Sequence, residues 1–275
     1  MNKKLGLLVI RGSGETGFKR QELFFEKVYK KLEKSGIDTG LIQIEYIDWY
    51  SYLGAKQGTI LERMENANIK LAGKAIRKLI ITNIGDLINY GGIPNLPSEN
   101  YTKTHQFVHE AILELKDKLE ENAPVILVAS SFGTQIMNNY IWDRQHPSSI
   151  DPMGATPFER LETMVGFFCL GSILPIFASS NNIDSLEPIT FPSANMDTAL
   201  KSKAVWECYY DKNDAMGYPL KTLNANYAAS NIKDIQINVG NPLIFWNFIS
   251  HFGYWKSRKL IKRISSYIEG LYSIL

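Results

Sequence analysis

Histidine and cysteine are scarce in this sequence, with four and two residues among 275. A charge of one sign is lacking as well: 30 Lys and Arg stand against 28 Asp and Glu, a formal net charge of +2. Each shortage excludes something. A sequence-independent nucleic-acid binder needs surplus cations to displace counterions from many phosphates, so no nucleic-acid partner is expected. Two cysteines make no disulfide framework, and Cys169 and Cys208 both sit in apolar or aromatic runs, where a free thiol behaves as a small buried hydrophobe. A cytoplasmic setting is therefore the expectation. No stretch approaches the roughly 18 uninterrupted apolar residues of a membrane-spanning helix, and the run before Arg11 is too short for a signal-peptide core. What remains is a soluble globular composition, 45% hydrophobic. A chain of this length buries about three-quarters of its unfolded surface without disulfide or metal.

Short apolar runs alternate with helical spacing along the chain. Leu5 to Ile10, Gly40 to Trp49, Pro124 to Ala129, Phe167 to Leu170 and Ala204 to Tyr210 read as strands, the first ending in a glycine turn. Helical periods run through Leu23 to Leu32, in one long pattern from Lys56 to Tyr90, from Thr104 to Leu119, from Thr134 to Trp142 and from Leu260 to Leu271. Alternation of this kind predicts an α/β fold: a mostly parallel central sheet flanked by helices on both faces. The whole chain, 1–275, reads as one domain, with excursions over the sheet near 50–104 and 178–203; a further polar stretch runs from Asn213 to Ile232.

The glycine turn Gly12-Ser13-Gly14-Glu15-Thr16-Gly17 fits G-x-G-x-x-G, the pattern that places a dinucleotide pyrophosphate on a helix N-terminus. That fingerprint also needs an acid at the end of the next strand, about 20 residues on; Asp38 precedes the strand and Glu45 lies inside it. The same small residues suit a second purpose, turning backbone N–H groups toward an oxyanion.

A second motif bears on that choice. Val-Ile-Leu-Val-Ala129-Ser130-Ser131-Phe132-Gly133 is a strand running into a sharp turn, a nucleophile elbow with Ala129 in place of the first glycine. Small residues are needed two before and two after the nucleophile, because the turn presses those backbones together. Centring on Ser130 puts Val128 and Phe132 at the crowded positions, so Ser131 is the better nucleophile. An elbow serine needs an acid and then a histidine further along the chain. Downstream lie only His146, in a polar loop before Pro147, and His251, in Ser-His-Phe-Gly-Tyr-Trp before the last helix; chain order favours His251. For the acid, Asp211 and Asp214 both follow a strand. Asp214 is preferred, with Asp211 then a surface or capping residue and the alternative acid.

On these residues the chain resembles the α/β-hydrolase serine hydrolases of lipase and esterase type. Ala129-Ser130-Ser131-Phe132-Gly133 is similar to Ala-His-Ser-Leu-Gly elbows, and Arg11-Gly12-Ser13-Gly14-Glu15 to the His-Gly-Ile-Gly-Glu turn of a group of hydrolases. Two positions depart from the family pattern: Arg11 and Ser130 each replace a histidine, and neither is a triad member. The resemblance implies the α/β-hydrolase fold and a carboxylic ester, a small molecule, as substrate. It implies Ser131 as nucleophile, His251 as general base, Asp214 as its orienting acid, and an oxyanion hole from the N–H of Phe132 with Ser13 or Gly14. It implies no metal and no organic cofactor. Side chains added at Gly12 or Gly14 are expected to damage turnover more than stability. The aromatic segment Trp49 to Tyr52 is a candidate wall for an acyl pocket, and Lys256, Arg258, Lys259, Lys262 and Arg263 read as the wet face of the last helix. The rival readings are a non-catalytic binding module on the same fold and a dinucleotide-dependent oxidoreductase.

Overall fold

The structure, a computed structural model, describes residues 4–14, 17–66, 74–91, 98–120, 122–147, 154, 156–179, 182–240 and 250–275. Six strands form one all-parallel sheet in the order β2-β1-β3-β4-β5-β6: β1 Leu5–Ile10, β2 Ile42–Ile47, β3 Val125–Ser130, β4 Met164–Leu170, β5 Val205–Tyr210 and β6 Ile232–Gln236. Helices pack around it, so the fold is α/β. Alternate residues of β1 point to opposite faces, and both faces are covered. Leu5, Leu7 and Val9 join Phe24, Phe25, Val28 and Leu32 of α1 (Lys19–Lys34) and Leu260, Ile264 and Ile268 of α9 (Arg258–Tyr272). Leu8 and Ile10 meet Val108, Ile112 and Leu115 of α4 (Glu99–Lys116) and Phe132, Ile136 and Met137 of α5 (Phe132–Gln145). That double burial is why the central strands are continuous apolar runs.

Strand order reverses beside β1. The chain leaves β1 toward β2 on one side, and β3 pairs on the other, with Ile10 opposite both Ile47 and Ala129. Such a switch point opens a crevice at the carboxyl ends of the strands. The glycine turn and the elbow leave adjacent strands at that crevice.

Several boundaries differ from expectation. The long helical pattern divides into α2 (Tyr50–Asn66) and α3 (Lys74–Tyr90), and residues 67–73 lie outside the described set. α2 starts six residues early because Asp48 accepts a hydrogen bond from Ser51 N at 3.3 Å and its carbonyl one from Ser51 Oγ. α4 starts at Glu99 because the Ser98 hydroxyl caps Tyr101 N at 3.1 Å. The stretch near 178–203 holds the end of α6 (Leu174–Ala178), a short 3₁₀ turn and α7 (Thr198–Lys203); α8 (Ala225–Ala229) follows β5.

β6 is absent from the strands expected above. Ile-Lys-Asp-Ile-Gln is a half-exposed edge segment with little apolar content, and Asp234 within it accepts from Leu220 N at 3.0 Å and Lys221 N at 2.8 Å. Within the excursion expected near 50–104, residues 92–97 lie outside the described set, as do Glu15 and Thr16 of the glycine turn. Cys169 and Cys208 are buried free thiols facing each other in register between β4 and β5, where burial pushes both up, Cys169 to about 12. Among the described residues no helix is long and apolar enough to cross a membrane.

Candidate active site

β3 ends at Ser130, and the chain turns within one residue. Ser131 has φ 50° and ψ −123°, a left-handed conformation that costs a non-glycine residue about 1–3 kcal/mol. The turn is held by Ser131 N, which donates to Leu170 O of β4 at 2.9 Å, and by Thr134, whose N and Oγ1 both donate to Ser131 O. The small elbow residue Gly133 has a spatial cause: a Cβ there would stand 2.7 Å from the Arg11 carbonyl oxygen. Gly12 abuts the elbow from the other side, and its Cβ would stand 2.6 Å from Ser131 Cβ. The two turns are therefore packed backbone to backbone. Phe132 is fully buried and fixed edge-on by Trp49 and Tyr90 and stacked on Phe177. Trp49 to Tyr52 thus takes a different role from a pocket wall at its first residue: Trp49 is core, and its Nε1 donates to Arg11 O at 3.1 Å.

Ser131, His251 and Asp214 come together in one line. His251 Nε2 lies 2.6 Å from Ser131 Oγ, and His251 Nδ1 lies 2.8 Å from Asp214 Oδ2. A carboxylate only accepts, so Nδ1 carries the proton and Nε2 is left to accept from the serine hydroxyl. His251 sits on a short 3₁₀ turn, Ser250–Phe252, and Asp214 on the loop after β5. All three side chains are buried. Burial pushes the Asp214 carboxyl up, but hydrogen bonds from His251, Met216 N and Tyr254 outweigh it and hold the group below its ordinary value.

Asp211 is placed elsewhere. It is buried rather than on the surface, and its carboxylate accepts from Asn213 N, Val239 N and Gly240 N at 2.9, 2.6 and 3.1 Å. It closes the loop between β5 and the segment after β6. His146 is exposed, stacked on Trp142 with Nδ1 3.0 Å from the Trp142 carbonyl oxygen. His105 is spent on a buried contact with Tyr90 OH at 3.0 Å.

Three features escape a reading of the sequence. Tyr254 OH donates to Asp214 Oδ2 at 2.9 Å and accepts from Asp211 N at 3.0 Å, spanning the acid loop. Burial and the neighbouring Asp214 push its phenol up, so it stays a donor. Arg11, 1% exposed, pairs with Asp48 at 3.1 Å and lies over the rings of Phe18 and Tyr50. Thr82 and Asn83 of α3 are buried against Gly14, where a Cβ would stand 3.3 Å from Asn83 Nδ2. Only the motif Ser-His-Phe-Gly-Tyr carries a local signal for any of these, and it assigns Tyr254 no partner.

The residues expected to form an oxyanion hole lie on the two turns that leave β1 and β3. Phe132 opens α5, where the first amides have no acceptor within the helix. Ser13 and Gly14 occupy the facing turn; the Ser13 hydroxyl is buried and has no hydrogen-bond partner among the described residues. The set as a whole can take a proton from a hydroxyl and stabilise a negative oxygen beside it.

The shift of Asp214 has a consequence for acid stability. Its folded value is depressed, so its stabilisation is full above the unfolded carboxylate value of about 3.9 and is lost as pH falls through the folded value. The stability difference between the native protein and Asp214→Asn is expected to shrink as pH falls below about 4. Urea unfolding midpoints from pH 3 to 7 check this, and a difference that grows on acidification contradicts it.

No protein-family model matches this chain, and no curated protein sequence matches it.

Proposed function

We propose that this protein is a serine hydrolase that cleaves a carboxylic ester through an acyl-enzyme. The observation that carries the reading is the continuous hydrogen-bonded line from Asp214 through His251 to Ser131, with the serine held on a strained elbow. Ser131 Oγ attacks the ester carbonyl carbon as its proton passes to His251 Nε2. Asp214 holds the imidazole and favours the imidazolium that forms. The tetrahedral oxyanion is met by the N–H of Phe132 and that of Ser13 or Gly14. Collapse expels the alcohol, which takes the proton from His251. Water then gives a proton to His251 as it attacks the acyl carbon, and collapse releases the carboxylate as His251 returns that proton to Ser131 Oγ. On this reading the fold is of α/β-hydrolase type.

The packing also bears on the dinucleotide alternative. Gly12 is explained by its approach to Ser131, without a pyrophosphate. Asp48 does stand just past β2, but its carboxylate is engaged by Arg11 and Ser51 N.

A fluorophosphonate probe tests the proposal. Stoichiometric labelling of the native protein, absent in Ser131→Ala, is the expected result. A folded native protein that resists the probe supports a non-catalytic binding module instead. Nicotinamide fluorescence enhancement on adding a reduced dinucleotide supports the oxidoreductase reading.

A further inference from the structure

On the far side of the sheet from α4 and α5, a cavity of about 470 Å³ opens between α1 and the start of α9. Its volume falls in the range of about 300–1,000 Å³ typical of small-ligand sites. Four cations line it: Arg20 and Lys27 from α1, and Lys256 and Arg258 from the other wall. Leu23, Trp255 and Ile261 supply its apolar surface. No acidic side chain among the described residues lines it.

The concentration of positive charge follows from how the helices run. Ser35 Oγ donates to Glu269 at 2.7 Å and Tyr272 OH donates to Asp38 O at 2.9 Å, joining the C-terminal ends of α1 and α9. The two helices are therefore parallel, and both N-termini, with their positive dipole ends, lie at the groove. Arg20 also lies over the ring of Phe252 at 5.1 Å, and the acids of α1 and α9 stand away from the groove. Glu22 and Glu26 stand by Tyr46 on the β2 side, and Glu269 lies at the far ends of the helices. Glu207 holds Arg263 in a bidentate pair with Nη2 at 2.6 Å. Lys256, Arg258, Lys259 and Lys262 are exposed, as expected of a wet face, and Arg263 alone departs from it, half-buried and engaged by Glu207.

We propose that this groove binds a small amphiphilic anion, with a carboxylate or phosphate-monoester head among the four cations and a short apolar tail along Leu23, Trp255 and Ile261. Charge complementarity selects the head, and the apolar side chains beside it select against a bare ion. The site is independent of the hydrolytic reading, since it uses none of the residues assigned to catalysis.

Calorimetric titration of the full chain with octyl phosphate tests it. Binding of one molecule per chain is expected, at least about tenfold tighter than inorganic phosphate, with no binding of octyltrimethylammonium. Lys27→Glu combined with Arg258→Glu is expected to weaken it at least about tenfold; Lys27→Gln with Lys256→Gln serves if the reversal impairs folding. Equal affinity for inorganic phosphate, binding of the cationic amphiphile, or insensitivity to both double variants overturns the proposal. So does sedimentation with phosphatidylglycerol vesicles without one-to-one binding of octyl phosphate, which assigns the patch to a membrane surface.

Discussion

Replacing Ser131 with glycine is expected to abolish ester hydrolysis while leaving the protein more stable than its alanine counterpart. The loss of activity follows from the proposed role: without Oγ there is no acyl acceptor, and removal of a serine nucleophile lowers turnover by about 10⁴–10⁶-fold. The gain in stability follows from the backbone. Ser131 sits at φ 50° and ψ −123°, which a Cβ opposes and glycine adopts freely. Alanine keeps the Cβ and loses only the hydroxyl, so Ser131→Gly should exceed Ser131→Ala by about 1–3 kcal/mol. Chemical denaturation of both variants, with turnover of a chromogenic short-chain ester, reads the two effects together. Retained turnover in either variant removes Ser131 from the mechanism. Equal stabilities would mean that the elbow is not strained at this residue.

Gly12→Ala carries the second large effect, and it acts on the same atom from outside. The added Cβ would lie 2.6 Å from Ser131 Cβ and 3.1 Å from Ser131 Oγ, whereas ordinary contact begins near 3.4 Å. Ser131 is fixed by its hydrogen bond to Leu170 and by Thr134, so the clash cannot be relieved by rotating a side chain. One of the two turns must move. A displacement near 1 Å at a reacting group costs about 10²-fold, and loss of one oxyanion donor about 10²–10³-fold. Overpacking adds a destabilisation of about 1–3 kcal/mol. Gly14→Ala should do less to turnover: its strain comes from φ +73°, and its nearest neighbour is Asn83 Nδ2 at 3.3 Å, not the serine. The ordering expected for kcat is therefore native, then Gly14→Ala, then Gly12→Ala. Full activity in Gly12→Ala contradicts both the packing argument and the role of Ser131.

Much of the site's chemistry was legible because it is local. An elbow is a strand, a turn and a helix start within ten residues, and the small residues at 129 and 133 report the crowding there. Histidine scarcity helped, since only two of the four follow Ser131. The acid was not decidable in the same way. Asp211 and Asp214 share one loop, three residues apart, and composition cannot say which carboxylate turns inward. Hydrogen bonds separate them: Asp214 faces His251 and Tyr254, and Asp211 faces the amides of Val239 and Gly240. The cause of Arg11 lies in Asp48, Phe18 and Tyr50, which surround it from other segments of the chain. β6 escaped because an edge strand with one face wet has little hydrophobic signal.

By itself, then, the sequence determined the alternation of strands and helices, the buried character of the central strands, and the order serine, acid, histidine. Periodicity and chain order are properties of neighbouring residues, and a one-dimensional string preserves them. The tertiary structure alone decided that Gly12 lies against Ser131, that Tyr254 braces Asp214, and that α1 and α9 bring four cations to one groove. These are contacts between segments far apart in the chain. Their partners are set by strand order and helix direction, which no local pattern encodes.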